Sequence, residues 1–268
     1  MQAREGEAAL LAEAPRTADL RRARIAVVVP AYNEAPLIAR TLQAIPAYVQ
    51  LVVVVDDASR DDTGRIALAL SDPRVVVVRH IVNRGVGAAI VTGYRAAFAR
   101  GAEVCAVMAG DAQMDPADLW ALLAPVLRGE AEYTKGDRLS FPRAREHMPK
   151  LRFLGNRTLS WMTKRATGLA ICDSQCGYTA ISARAAALLP LEKLWPRYGY
   201  PNDLLGMLAE HKLSVQEVVV RPIYADEVSG VGFRHALFVI PYVLARVLGR
   251  RLLRARSTAL SASVELEI

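Results

Sequence analysis

Three cysteines in 268 residues, Cys105, Cys172 and Cys176, are too few to staple a fold, and their odd number and uneven spacing point to a reducing compartment. Cys172 and Cys176 stand four apart, but no second Cys or His pair completes a zinc set. The scattered histidines fall in no H-E-x-x-H frame, so a zinc hydrolase is set aside. There is no G-x-x-x-x-G-K-[ST] stretch. Gly85-Val86-Gly87 lacks both the third glycine and the following strand-end acid of a dinucleotide fingerprint. P-loop and nicotinamide chemistries are disfavoured together. Long apolar runs are also missing: Ala236–Ala245 is about half the roughly 20 residues that a spanning helix needs. Met1 to Leu20 mixes acids, alanines and arginines without the apolar core of a signal peptide, and residues 1–22 read as a flexible tail.

What is present argues for a packed domain. Hydrophobic residues make up 53% of the chain and charged ones 23%, which opposes disorder as the dominant state. The net charge of +7 is concentrated. Arg234, Arg246, Arg250, Arg251, Arg254 and Arg256 lie between Val228 and Val264 with no acid among them, and the rest of the chain is near neutral. A nucleic-acid binder more often spreads basic residues over a folded face with aromatics interleaved. Here they follow an apolar stretch, so a membrane surface is the expected partner and nucleic acid is not.

Strand-like and helix-like segments alternate through the first half. Ile25–Val29, Val52–Val55, Val75–Val78 and Val104–Met108 are short, wholly apolar runs suited to a parallel sheet covered on both faces. Between them, Pro36 opens a helix carrying Leu37, Ile38, Leu42 and Ile45. Asp61 or Asp62 caps a second helix, and Gly85–Arg100 forms a third, stopped by Gly101. Asp115 as cap, Pro116 at the first position and the stripe Leu119, Leu122, Leu123, Val126 and Leu127 define a fourth, ended by Gly129. This predicts a doubly wound α/β domain. Beyond Tyr133 the pattern loosens: residues 138–150 read as a mobile loop, Leu151–Ala166 as a helix, Val215–Val220 as a late strand and residues 234–256 as a final helix.

In open α/β sheets, ligands bind beyond the carboxyl ends of the strands. The segments there are Pro30–Glu34, Asp56–Thr63, Asn83–Gly87 and Ala109–Asp115. Three of the four carry carboxylates, which suits a base, a ribose and a metal-bound diphosphate. Asp61, Asp62 and Thr63 are explained by capping, and Asp115 by the same role. Asp56 and Asp57 are harder to explain away, because adjacent carboxylates after a buried strand repel each other to no purpose unless used.

Five motifs in order carry a resemblance over roughly residues 25 to 230. They are Val-Val-Pro-Ala-Tyr-Asn-Glu at 28–34, Val-Asp-Asp-Ala-Ser-Arg-Asp-Asp-Thr at 55–63 and Asn-Arg-Gly-Val-Gly-Ala-Ala at 83–89. Gly-Asp-Ala-Gln-Met-Asp-Pro at 110–116 and Asp-Ser-Gln-Cys-Gly-Tyr-Thr-Ala-Ile-Ser at 173–182 complete the set. The chain resembles the family 2 glycosyltransferases of GT-A fold, close to the polyprenyl-phosphate sugar synthases of dolichyl-phosphate mannosyltransferase type. The resemblance implies a Rossmann-like, mostly parallel sheet over residues 23–231, followed by a basic amphipathic helix and tail over 232–268.

It also implies roles for particular residues. Pro30, Tyr32 and Glu34 line the nucleoside pocket, with Asn83 and Gly110 beside the nucleotide-sugar. Asp56 or Asp57 accepts from the ring N–H of uracil or guanine. Asp111 matches the second aspartate of the family's D-x-D and Gln113 its downstream glutamine. Together they hold Mg²⁺ or Mn²⁺, which hard oxygen ligands suit. Ala109 replaces the first aspartate, so the diphosphate must supply more of the coordination. Arg138 matches the arginine after the fifth strand, and Arg152 and Arg157 join it in binding the acceptor, since guanidinium forks suit phosphate oxygens.

A phosphate acceptor needs no strong base. A hydroxyl acceptor needs one, with Asp203 or Asp173 as candidates. The acidic stretch Tyr224–Gly230 opposes the lipid-phosphate reading. The final helix favours it: Leu244, Leu248 and Leu252 repeat every four residues, with Arg246, Arg250 and Arg254 on roughly the opposite face. The expected activity is a metal-dependent, inverting hexosyl transfer from a UDP- or GDP-sugar to a polyprenyl phosphate at the cytoplasmic face of the membrane, with peripheral contact through residues 234–256. The alternatives are a soluble transferase acting on a hydroxyl of a glycolipid or secondary metabolite, and a non-catalytic sugar-nucleotide-binding protein. The basic helix offers a further use as a contact in a homodimer.

Overall fold

The computed structural model describes residues 23–223 and 235–265, with backbone alone for 235–236 and 255–265. The tail expected at 1–22, the acidic stretch Tyr224–Gly230 and the domain boundary at 231 lie outside the described residues.

The strands are β1 (Ile25–Ala31), β2 (Leu51–Asp56), β3 (Val75–Arg79), β4 (Val104–Val107), β5 (Tyr133–Asp137), β6 (Thr179–Ser182) and β7 (Val215–Val219). They form one sheet in the order β3-β2-β1-β4-β6-β5-β7. β1 pairs in parallel with both β2 and β4, so the strand order reverses between β1 and β4. β6 runs antiparallel to β4 and β5, and β7 pairs in parallel with β5.

The expected apolar strands are all present, and the reason they are apolar throughout is visible in β1. Ala26 and Val28 face one layer, with Ile90 and Tyr94 of α3 (Val86–Phe98) and Leu204 and Leu208 of α8 (Tyr200–Glu210). Ile25, Val27 and Val29 face the other, with Ile38 and Leu42 of α1 (Ile38–Ala44) and Leu119, Leu122 and Leu123 of α4 (Leu119–Leu127). Both faces are dry, and each buried valine contributes about 1.5–3 kcal/mol relative to exposure.

The helix signals hold in detail. Asp115 accepts from the Ala117 amide at 2.9 Å with Pro116 at the first helical position. Gly101 (φ 80°) and Gly129 (φ 71°) follow the ends of α3 and α4. Asp61, rather than Asp62, accepts from the amide of Thr63 at the start of α2 (Thr63–Ala69), while Asp62 pairs with Arg65. α1 begins two residues after Pro36, behind a turn closed on the Glu34 carbonyl.

The second half departs further from expectation. β6 and α8 gave no sequence signal. Residues 138–150 contain the one-turn helix α5 (Ala144–His147), with Ala144 and Met148 buried, rather than plain loop. α6 (Lys150–Thr167) matches its predicted span, and the short α7 (Ala183–Leu188) follows β6 directly. The final helix, α9 (Ile240–Glu265), is preceded by a π-helical turn and packs on α6 and α8. Its buried stripe is Ile240, Val243, Leu244 and Val247. The arginines expected to meet a membrane surface bond to the protein itself, although Arg251 and Arg254 stay exposed. Arg250 reaches Asp203 and Glu210, Arg251 the carbonyls of Arg165 and Ala166, and Arg254 the carbonyl of Glu210. What remains exposed around the start of α9 is apolar: Leu237, Phe238 and Tyr242. Among the described residues, no helix is long and apolar enough to cross a membrane.

Candidate active site

A cleft of about 860 Å³ opens along the carboxyl edge of the sheet at the point where the strand order reverses. Pro30, Tyr32, Glu34, Asp57, Asn83, Gly110, Asp111, Gln113, Arg138 and Arg152 all line it. Asp56, Arg157 and Asp203 do not.

Asp56 ends β2 inside the protein, 1% exposed, where it accepts from the Ser59 amide at 2.8 Å and lies 3.4 Å from Arg79. A Cβ on Gly64 would meet its Oδ2 at 2.6 Å, so this carboxylate is walled in by α2. Asp57, one residue on, turns to the cleft. Its Oδ1 accepts from His80 Nδ1 (2.7 Å) and the Arg84 amide (2.8 Å), and its Oδ2 from the Gly85 amide (2.7 Å). Of the two aspartates, Asp57 lines the cleft and Asp56 does not. The Asn83–Gly87 turn is held against the loop before α8. Gly85 sits at φ 94°, and a Cβ on Gly87 would meet the Trp195 carbonyl at 2.4 Å. Here the glycines serve close approach, not a fingerprint.

The loops after β1 and β2 are laced together. Asn33, at φ 57°, accepts from the Arg60 amide, and the amides of Asn33 and Glu34 donate to Ser59 and Thr63. After β4, Asp111 accepts from the Gln113 amide at 3.1 Å in a tight turn through Ala112 at φ 56°. Asp111 and Gln113 line the same cleft, and a carboxylate with a carboxamide oxygen is a donor set that fits a hard divalent ion completed by diphosphate oxygens. Among the described residues, one other group could share an ion, Asp137, Cys172 and Glu217, and none of the three lines the cleft.

The opposite wall is basic. Arg138 follows β5, and its Nε and Nη2 donate to Asp173 at 2.7 and 3.1 Å. Asp173 is fully buried and also accepts from the Gln175 amide. Burial opposes its charge most strongly, but the charge and hydrogen bonds of Arg138, with the charge of Lys135, hold the carboxyl below its ordinary range. Lys135 is itself completely buried, donates to the Cys176 carbonyl, and has its pKa pushed down by that burial. Asp173 is thus held as the ion-pair partner of Arg138. Asp203 lies away from the cleft. It is fully buried under α9, accepting from the Trp195 amide and Arg250 at 2.8 Å each. Arg157 stacks on Phe153 outside the cleft.

Four cleft residues escaped sequence reasoning. Arg221 follows β7 and pairs with Asp115 at 2.7 Å. It stands at a strand's carboxyl end, so the rule that found the others would have found it. Gln175 lay inside a quoted motif. Arg197, 3.3 Å from Asn83, and Tyr198 come from an irregular loop without a sequence signal. The Tyr198 hydroxyl has its pKa raised, first by burial and then by the negative charges of Asp111 and Glu34, which places it on the acidic side of the cleft.

Comparison with known proteins agrees with this geometry. The model for glycosyl transferase family 2 matches residues 26–186. A UDP-N-acetylglucosamine–dolichyl-phosphate N-acetylglucosaminyltransferase from Methanococcus voltae is 29% identical over 217 residues, 75% of this chain and 86% of that protein. An undecaprenyl-phosphate mannosyltransferase from Micrococcus luteus is 29% identical over 74% of this chain and 82% of its own. In fold, glucosyl-3-phosphoglycerate synthase from Mycobacterium tuberculosis, solved with Mn²⁺, UDP and glucosyl-3-phosphoglycerate, superposes with a TM-score of 0.67 at 21% identity, over 87% of this chain and 82% of that one.

Proposed function

The chain belongs to glycosyl transferase family 2, with the GT-A fold, and we propose that it moves a hexosyl group, with inversion, from a UDP- or GDP-sugar to a polyprenyl phosphate. The observation that carries this reading is the division of the cleft by charge. Glu34, Asp57 and Asp111 stand at the ends of β1, β2 and β4, while Arg138 and Arg152 come from the later half of the chain, which also sends Arg197 to Asn83 and Arg221 to Asp115 on the donor side. A donor's base and metal-bound diphosphate suit the first wall, and an anionic acceptor suits the second. The two carboxylates weighed as bases for a hydroxyl acceptor, Asp173 and Asp203, are both held by arginines. A phosphate oxygen is already ionised near neutral pH and needs no base. The two relatives named for lipid-phosphate acceptors support the same choice.

Asp111 and Gln113 would hold Mg²⁺ or Mn²⁺, and that ion supplies neutralisation of the charge that grows on the departing diphosphate. The protein's own part is to orient. Asp57 fixes the base, Asp173 fixes Arg138, and the lacing of the β1 and β2 loops keeps Glu34 in place. The acceptor lies in a membrane, and the exposed Leu237, Phe238 and Tyr242 provide a docking face for its inner surface, with anchoring from burial of apolar area rather than from arginines.

The test is transfer by the purified chain from a panel of UDP- and GDP-sugars, with Mn²⁺, to a short-chain polyprenyl phosphate and to the matching alcohol. Product on the phosphate and none on the alcohol is expected. Product on the alcohol alone removes the lipid-phosphate reading, and binding without turnover on any acceptor removes the catalytic one.

A further inference from the structure

His80 sits directly after β3, 8% exposed, between β2 and α3. Its Nδ1 is 2.7 Å from Asp57 Oδ1 and its Nε2 is 2.9 Å from Thr92 Oγ1. A carboxylate has no proton to give, so the network assigns a hydrogen to Nδ1, and Nε2 shares a hydrogen bond with the Thr92 hydroxyl. No step described so far uses this imidazole.

Its effect is on what Asp57 has left to offer. A carboxylate has about four acceptor positions, two on each oxygen. On Oδ1 both are filled, by His80 and the Arg84 amide; on Oδ2 one is filled, by the Gly85 amide. One position remains, on one oxygen. Uracil offers a single ring N–H between two carbonyls and needs one acceptor. Guanine offers a ring N–H and an amino group side by side and is matched only when both oxygens can accept. With Oδ1 occupied, one guanine donor stays unpaired in a partly enclosed pocket. Leaving such a donor unpaired costs about tenfold or more in affinity.

We propose that His80 is a positioning residue that reduces Asp57 to a single acceptor and thereby selects uridine over guanosine diphosphate-sugars. This rests on the donor reading above, which left the base open between the two.

Two isosteric replacements separate the role from simple packing. The side-chain amide of His80→Asn can take the place of Nδ1 and keep Oδ1 filled. That of His80→Gln can take the place of Nε2 and leave Oδ1 with an open position. Calorimetric titration of UDP and GDP, each with Mg²⁺, onto the full chain reads the outcome, with thermal melting confirming that both variants fold. Wild-type protein should prefer UDP by at least about tenfold. His80→Asn should keep that ratio within about threefold, and His80→Gln should reduce it by about tenfold, through weaker UDP and stronger GDP binding. Equal shifts in the two variants, or equal wild-type affinity for the two nucleotides, would overturn the proposal while leaving the donor reading intact. Wild-type protein that binds neither nucleotide removes the donor reading, and this proposal with it.

Discussion

The two halves of the cleft are built on different principles. From β1 to β4 every chemical group stands within a few residues of a parallel strand's end, and the loops are fixed by short hydrogen bonds to the loops of adjacent strands, such as the Glu34 amide to Thr63 and the Gly85 amide to Asp57, with a local bond from the Gln113 amide to Asp111. From β5 onward the groups come from a strand end, a long helix, an irregular loop and the exit of an edge strand. They are positioned by ion pairs between distant segments, Arg138 with Asp173 and Arg221 with Asp115. The first half makes its site by hydrogen bonds between the ends of adjacent parallel strands; the second makes it by ion pairs between segments far apart in the chain. Damage should therefore spread differently in each.

The sharpest contrast is expected from Asp111→Asn. Neutralising the Asp111 carboxylate should lower transfer by about 100-fold or more while leaving the melting temperature nearly unchanged, because the turn bond from the Gln113 amide can persist. Unchanged transfer in steady-state assays would mean that the acidic wall is not where the donor's charge is handled. Asp173→Asn should separate the walls. It should cut kcat/KM for the acceptor by about 10- to 100-fold, with donor affinity intact. It should also alter stability against pH. Because the folded-state pKa of Asp173 is lowered, its contribution is complete above the unfolded value, about 3.9, and is lost as pH falls through the folded value. The variant should therefore lose that part of the acid limb in denaturation curves, and equal loss of donor and acceptor affinity would erase the proposed division.

A smaller effect is expected outside the cleft. Replacing Leu237, Phe238 and Tyr242 together with Ser should weaken binding to anionic vesicles by about fivefold in flotation without changing transfer to a water-soluble short-chain acceptor. Equal flotation would remove the docking face. The smallest effect on chemistry should come from Asp203→Asn, with transfer within about threefold of wild type. Its cost falls on stability, about 1–3 kcal/mol, less than for a fully enclosed pair because Arg246 and Arg250 are 32% and 26% exposed. A large fall in turnover without loss of stability would restore a base and hence a hydroxyl acceptor.

The same division explains what the sequence alone could reveal. Val52–Val55 followed by Asp56-Asp57 is legible because a strand buried on both faces must be apolar and its end must be near the ligand edge. Which of the two aspartates faces the cleft was not legible, since it depends on α2 closing over Asp56 at Gly64. Asp115 was assigned correctly as a cap for a local reason. The burial of Asp203 away from the cleft was not legible, because its partners, Arg246 and Arg250, lie more than forty residues away on a helix whose periodicity points as well to lipid as to protein. β6 was not legible because Thr179–Ser182 has hydroxyl residues at both ends and two apolar residues between them, and so lacks the continuous apolar run that marks Val52–Val55.

That short strand has a consequence out of proportion to its length. Because β6 runs against its neighbours, the chain approaches it from the rim where β4 and β5 depart, and Gln175, Cys176 and Gly177 reach the cleft simply by leading in. A sheet with every strand aligned would deliver only outgoing segments to that rim. One counter-current strand adds an inbound one, and the catalytic margin is furnished from both directions of travel.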